Sequence, residues 1–372
     1  MTALTAARVV TPDGIVAPGV VEIDGGYIVA VSPAHGPVPE RTLCPGFVDL
    51  QVNGHDDVDV ARAAGHDWDR LDALLVAQGV TTWCPTLVTA PLASYAEPLE
   101  RIAGAAARDG ARPAIAGVHL EGPFLGSMPG AHPPDLLLPF DREWLATLPD
   151  IVRVVTLGPE LDGAPEVIAA LAVDGVLVAL GHSAATLEEI DAATDAGARL
   201  VTHCFNGMPP LHHRQPGMVG AALGDDRLAI SLIADLVHVH PTALAIAVRA
   251  KAPPVEVGQG RSPGRVVLVT DAVAWRAGGV GAIEVEFDGH AARLADGTLA
   301  GSALTMDRAV RNLVRVVGAD LLTAVEAAST TPADLLGLAD RGRLAPGTRA
   351  DVVALGPDLA VEGVWIAGER VR

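Results

Sequence analysis

The residues best suited to chemistry are polar side chains that end apolar runs. Glu121 closes "GVHLE", His182 closes "VLVALGH", and His203 follows "RLVT". One carboxylate and two neutral imidazoles suit a catalytic divalent ion and leave coordination positions for water and substrate. Zinc fits first; iron(II) and manganese(II) also fit. Asp271 ends another run, "VVLVTD". A carboxylate facing activated water can take its proton and pass it to a leaving group, help worth about 10²–10⁴-fold. The bland reading makes each of these a satisfied core polar group, or makes Asp271 a helix N-cap. Three such residues at three strand ends favour the metal reading. Eight of the twelve histidines lie between residues 119 and 240, a third of the chain, so histidine is concentrated around this set. The stretch "THCFNGMPPLHHRQPG" (202–217) adds Asn206, His212, His213 and Arg214 to the candidates.

Eight apolar runs carry these residues: 45–53, 80–88, 114–122, 152–160, 175–183, 199–207, 227–235 and 265–273. Segments of 3.6-residue period lie between them, among them "DWDRLDALLVAQ", "TLEEIDAATDAG" and "PTALAIAVRAK". Continuous apolar strands alternating with helices mean a parallel sheet buried on both faces. Eight units over 46–340 predict an α/β fold, a (β/α)₈ TIM-like barrel. In a barrel the polar run ends (Gln51, Asn53, Glu121, His182, His203, Asp235 and Asp271) converge on one mouth, where barrel enzymes keep their sites. Residues 1–45 read as a β-meander and residues 341–372 read alike. The two ends are expected to meet in one small β-sandwich domain.

The chain has 372 residues, half of them apolar but only 3% aromatic, so the core must be built from aliphatic side chains. A formal charge of −19 argues against nucleic acid or an anionic membrane as partner. It also makes any anion site depend on local cations. Cys44, Cys84 and Cys204 are far apart and form no C-x-x-C, which predicts reduced, buried thiols in a cytoplasmic protein. Neither a basic leader with an apolar run nor an apolar stretch of about 18 residues is present. Neither G-x-G-x-x-G after the first strand nor a P-loop occurs.

"GVHLEGPFL", "LGHSAAT", "THCFNGMPPLHHRQPG", "LIADLVHVHP", "LVTDA" and "LAGSALTMDRAVRNLV" follow one another in an order that resembles the N-acetylglucosamine-6-phosphate deacetylases of the amidohydrolase superfamily. The resemblance covers essentially the whole chain. It implies hydrolysis of the acetamide of N-acetyl-D-glucosamine 6-phosphate to glucosamine 6-phosphate and acetate. Glu121, His182 and His203 would hold one divalent ion per subunit, and Asp271 would accept and then donate the proton. His132, with Ala131 beside it in "PGAH", would help polarise the acetamide carbonyl. Asn206 and Gly207 would contact the sugar phosphate, partly through backbone amides. Arg214 would reach the phosphate, often across a dimer interface in that family, so a homodimer is expected. Asp235 and His238 would line the sugar pocket, and Leu299, Ala300 and Gly301 would close over the substrate. Arginine suits the phosphate role because its planar fork matches phosphate oxygens.

Many amidohydrolases carry His-x-His where this chain has Gln51 and Asn53, both facing inward because strand residues i and i+2 share a face. Neutral amides are poor zinc ligands. One metal rather than two is expected, with both amides hydrogen-bonding beneath the site. The chain departs from the family at "HDDVDV" (55–60), Cys204, Gly207, Leu236 and "AWRAGG" (274–279), which leaves the sugar epimer and the acyl group open.

Other readings compete. "LGHSAA" is close to a nucleophile elbow, so Ser183 with Asp271 and His290 could form a serine esterase triad, although the second glycine is missing. The barrel could also bind a sugar phosphate without catalysis. A third possibility is another amidohydrolase reaction, on N-acetylgalactosamine 6-phosphate or a non-phosphorylated amide. His212 and His213 match no role and read as solvated or as subunit contacts.

Overall fold

The computed structural model describes residues 1–252 and 264–372. Eight parallel strands form the central barrel: β1 (Phe47–Val52), β2 (Val80–Val88), β3 (Val118–Glu121), β4 (Val152–Leu157), β5 (Leu177–Leu180), β6 (Leu200–Val201), β7 (Ala229–Leu232) and β8 (Val266–Leu268). Each pairs with the next in sequence, from β1 to β8. The circle closes at the mouth, where Asp271 N donates to Gln51 O (3.0 Å) and Asn53 N donates to Ala272 O (2.8 Å). The three helices read from sequence form at Asp67–Ala77, Leu187–Ala196 and Pro241–Ala250. The second begins with a capping box, in which Thr186 Oγ1 accepts from Glu189 N and Glu189 Oε2 accepts from Thr186 N.

The run 114–122 is not one strand. Ala114–Ile115 and β3 are separate, both paired with β2. Gly117 breaks the run at φ 150°, where a Cβ would lie 2.2 Å from Arg153 Cγ. Two departures from the helix-after-strand pattern shape the mouth. After β3 the chain makes a long loop through Gly130, Ala131 and His132. After β8 it makes short hairpins between Gly279 and Arg293.

The terminal segments share a six-stranded sheet in which Thr42–Pro45 runs antiparallel to Val352–Leu355. A second sheet holds Thr2–Ala6, Gly19–Asp24 and Tyr27–Pro33. Because the first 45 residues alternate between two sheets, they are not the simple meander expected, and Arg8–Thr11 lies parallel to Thr42–Pro45. Leu4, Val9, Val21, Leu43, Val352 and Trp365 fill the space between. All three cysteines are free and buried, and burial pushes their thiols up.

Several buried polar side chains of the barrel are bonded to one another. His119 Nδ1 donates to Leu50 O (3.1 Å), its Nε2 meets Thr156 Oγ1 (2.7 Å), and that hydroxyl meets Thr202 Oγ1 (2.7 Å). Burial lowers His119 to about 4, so it is neutral. Asp49 takes Thr270 Oγ1 at 2.6 Å and the backbone N–H groups of Gln51 and Thr270 at 3.2 Å. Burial nevertheless raises the Asp49 carboxyl to about 7. It therefore holds its proton more tightly folded than unfolded. That preference stabilises the fold fully below the unfolded pKa of about 3.9 and fades as pH rises through 7. Asp49→Asn keeps the shape and never ionises. Its melting temperature minus that of wild type should rise between pH 5 and pH 8; a difference independent of pH would contradict the assignment.

Candidate active site

Glu121 is the last residue of β3, while His182, His203 and Asp271 lie two or three residues beyond β5, β6 and β8. The last three adopt left-handed backbone, with φ of 51°, 29° and 48°. Non-glycine residues rarely do so, and such strain concentrates at functional sites. Tertiary bonds hold the turns: Ser231 Oγ accepts from His203 N (2.7 Å), and Gly207 O accepts from Ser183 N (2.9 Å). Gly207 lies against the His182 ring, where a Cβ would come 2.7 Å from Nδ1.

Three donor atoms converge. His203 Nε2 is 2.8 Å from Glu121 Oε1, His182 Nε2 is 3.2 Å from the same oxygen, and the two Nε2 atoms are 3.1 Å apart. Donors bound tetrahedrally to zinc at about 2.0–2.1 Å stand about 3.3 Å from one another. Met128 O accepts from His182 Nδ1 (3.1 Å), which turns Nε2 toward the other two donors. His203 Nδ1 is buried without a partner among the described residues. Two imidazole nitrogens facing one carboxylate oxygen at these distances suit a shared cation. Burial opposes ionisation of Glu121, but hydrogen bonds from His182 and His203 outweigh it and hold the carboxyl well below its usual range. His203 is raised correspondingly: burial lowers it and the Glu121 carboxylate outweighs that.

His132 approaches the same carboxylate, with Nε2 3.9 Å from Glu121 Oε2 and Nδ1 2.8 Å from Thr89 Oγ1. Donor atoms of Glu121, His132 and His182 all lie within 4.8 Å of one another. Burial first, then His182, depresses His132 to about 3, so its ring is neutral. Asp271 Oδ1 accepts from Asn53 Nδ2 (2.7 Å) and Gln51 Nε2 (3.2 Å), while no described residue donates to Oδ2. Burial, then the nearby Glu121 charge, raises Asp271 to about 7.

These groups line one cavity of about 450 Å³. Asn53, Ala131, His132, Asn206, Gly207, His238, Leu299, Ala300 and Gly301 line it as well. Gln51 lies beneath, reached through Asp271. Asp235 does not reach the cavity; its Oδ2 takes His238 Nδ1 at 2.6 Å and its Oδ1 takes the N–H groups of Val237 and His238. It orients His238 instead of lining the pocket. Leu236, one of the positions expected to depart from the family pattern, carries φ 70°. Arg214 stands outside this cavity in the single chain, exposed, with Nη1 2.9 Å from His213 Nε2. The His212 and His213 rings are 4.6 Å apart and exposed.

Some of the lining was not foreseen. Val88, Val273, Val280 and Ile283 make an apolar wall, and Arg293 supplies a cation at the rim. Val280, Ile283 and Arg293 belong to the hairpins after β8. The two unusual segments meet there: Asp56 binds Arg276 (3.1 Å) and Arg70 (2.8 Å), anchoring the roof to the loop after β1. Ser183 donates to Glu160 Oε2 (2.6 Å) and is not in the cavity, and His290 is exposed on a hairpin. The esterase triad is therefore not assembled.

A model of the amidohydrolase family matches residues 42–371. The chain belongs to the amidohydrolase family. These are hydrolases acting on amide bonds. The N-acetylgalactosamine-6-phosphate deacetylase of Escherichia coli O157:H7 is 40% identical over 98% of both chains. The N-acetylglucosamine-6-phosphate deacetylase of Bos taurus is 42% identical over 88% of this chain and 83% of its own. The solved N-acetyl-D-glucosamine-6-phosphate deacetylase of Mycobacterium smegmatis superposes with a TM-score of 0.89 at 36% identity, covering all of both chains. A mutant of that enzyme was solved in complex with N-acetyl-D-glucosamine-6-phosphate, and it superposes with a TM-score of 0.88 over 100% of this chain.

His132 could serve as a ligand or as a hydrogen-bonding partner of the substrate, and the two roles separate experimentally. His132→Ala should keep one ion per chain and lower kcat by about 10²–10³-fold. Loss of the ion on elemental analysis would make His132 a ligand.

Proposed function

We propose that the protein hydrolyses the acetamide of an N-acetylhexosamine 6-phosphate, N-acetyl-D-glucosamine 6-phosphate foremost, releasing acetate and glucosamine 6-phosphate. The observation that carries this reading is Asp271, whose Oδ1 is held by two amides while Oδ2 has no donor among the described residues, and which lines the same cavity as Glu121, His182 and His203. The relatives are named for two sugar epimers at nearly equal identity, so the galactosamine substrate is the second reading.

One divalent ion per chain, zinc foremost, would be held by Glu121, His182 and His203. Bound there, it would supply Lewis-acid polarisation of the amide carbonyl and a more acidic water. The number one is supported by Gln51 and Asn53, neutral amides whose N–H groups donate to Asp271 and whose oxygens are poor zinc ligands beside imidazole and carboxylate. Asp271 Oδ2 takes a proton from the attacking water and returns it to the departing nitrogen, which balances the hydrolysis. His132 lies at the carbonyl side. The apolar wall of Val88, Val273, Val280 and Ile283 suits a small acyl group. His238, fixed by Asp235, would bind sugar hydroxyls, and Asn206 with the backbone at Gly207 would meet the anionic end. We place Arg214 on the phosphate of a partner subunit's site, in a homodimer, because its own chain leaves it exposed outside the cavity. The barrel is taken to span 46–340, with 1–45 and 341–372 forming the small domain. Three free buried thiols fit a cytoplasmic setting.

The test is acetate release from a panel of N-acyl hexosamines, with and without the 6-phosphate, after zinc reconstitution. Turnover is expected for the 6-phosphates; no turnover on any member would overturn the reading. Arg214→Ala should raise KM for the phosphorylated substrate about ten- to a hundredfold while leaving the free sugar nearly unaffected. Equal effects on both would remove Arg214 from the phosphate.

A further inference from the structure

Glu160 follows β4 and lines no part of the catalytic cavity. Its carboxylate nevertheless gathers four donors from two separate segments. Oε1 accepts from Ser127 N (2.9 Å), Ser127 Oγ (3.2 Å) and Ala184 N (3.2 Å), and Oε2 accepts from Ser183 Oγ (2.6 Å). One segment is the loop after β3. The other is the turn that follows His182.

These two segments also define how His182 is held. Met128 N donates to His182 O (3.3 Å), and His182 Nδ1 donates to Met128 O (3.1 Å). Ser127 and Ser183, each one residue from that pair, are the two hydroxyls on Glu160. The approach is close by construction. A Cβ on Gly126 would lie 2.0 Å from Glu160 Oε1, and one on Gly158 would lie 2.3 Å from Gly126 N. Glycine at both positions lets the loop backbone press onto the end of β4, within reach of the carboxylate.

We propose that Glu160 is a positioning residue for the metal centre: its carboxylate ties the loop carrying Met128 to the turn after His182, and so fixes the direction of His182 Nε2. A ligand imidazole is only as well placed as the partner of its other ring nitrogen. Here that partner is a backbone carbonyl on a loop, and a loop carbonyl is fixed only if the loop is fixed. Glu160 supplies the tie with charge-assisted bonds, which are roughly twice as strong as neutral ones. It touches neither the ion nor the substrate.

The inference rests on the ligand assignment proposed above, and the experiment separates the two. Zinc-loaded wild type, Glu160→Ala, Glu160→Gln and Ser183→Ala are mixed with a chromogenic chelator, and the rate of zinc release is followed. Glu189→Ala serves as the control: it removes the capping box of the helix just beyond the same turn without touching Ser127 or Ser183. Glu160→Ala should release zinc about 10–100-fold faster than wild type. Glu160→Gln, which keeps an acceptor for the N–H groups, and Ser183→Ala should fall between. Glu189→Ala should lower the melting temperature and release zinc at the wild-type rate. Release from both Glu160 variants at the wild-type rate would overturn the inference and leave the ligand assignment standing. Equal acceleration by Glu189→Ala would make the effect one of general stability and would overturn it too. Wild type that retains no zinc would overturn the ligand assignment and this inference together.

Discussion

The structure is organised around a carboxylate that is almost fully buried. Glu121 is 3% exposed at the mouth of the barrel. A buried charge is costly unless it is paired and hydrogen-bonded. His182 and His203 provide the pairing, and each does so from a left-handed backbone conformation just beyond its strand. That conformation needs support of its own. It comes from Ser231, Gly207 and the loop through Met128, and behind that loop from Glu160. The same three donor atoms are the ones proposed to hold a divalent ion, so the pairing that a buried carboxylate needs and the proposed catalytic use coincide.

Two carboxylates share this mouth with opposite tendencies. Hydrogen bonds from two imidazoles overcome the burial of Glu121 and keep it ionised, as its proposed role as a ligand requires. Asp271 has only two neutral amides, and burial together with the Glu121 charge raises it to about 7. Separating the proton affinities of paired groups is how one site obtains both a permanent anion and a group that exchanges protons near neutrality. Gln51 and Asn53 take part in this division. They donate to Asp271 Oδ1 and leave Oδ2 without a donor among the described residues, as the proposed proton-transfer role requires.

The strand-end residues were legible in the sequence because polar side chains stand out against aliphatic runs. Glu121, His182, His203 and Asp271 do meet at one mouth, as their place at run ends implied. The register of those runs was less visible. Gly117 splits one of them because its backbone lies against Arg153, a tertiary fact. Asp49 and His119 sit inside the barrel within apolar runs, so hydropathy gives no sign that Asp49 is bonded to Thr270 beyond β8 or His119 to β1 and β4. The family resemblance implies Asp235 as a pocket residue; the local turn makes it the acceptor of His238 instead. Glu160 was hidden because its donors come from residues 127 and 183–184, two segments brought together only by the fold. The roof formed by Val280, Ile283 and Arg293 depends on hairpins too short to leave a periodic signal.

The central claim is that one ion is held by two imidazoles and one carboxylate while Asp271 stays free of it. X-ray absorption at the zinc edge of the loaded protein tests this directly. The account predicts a single zinc per chain with two histidine nitrogens and oxygen ligands, no metal–metal scattering, and a spectrum unchanged in Asp271→Asn. A second zinc within scattering distance, or loss of an oxygen ligand in Asp271→Asn, would contradict it.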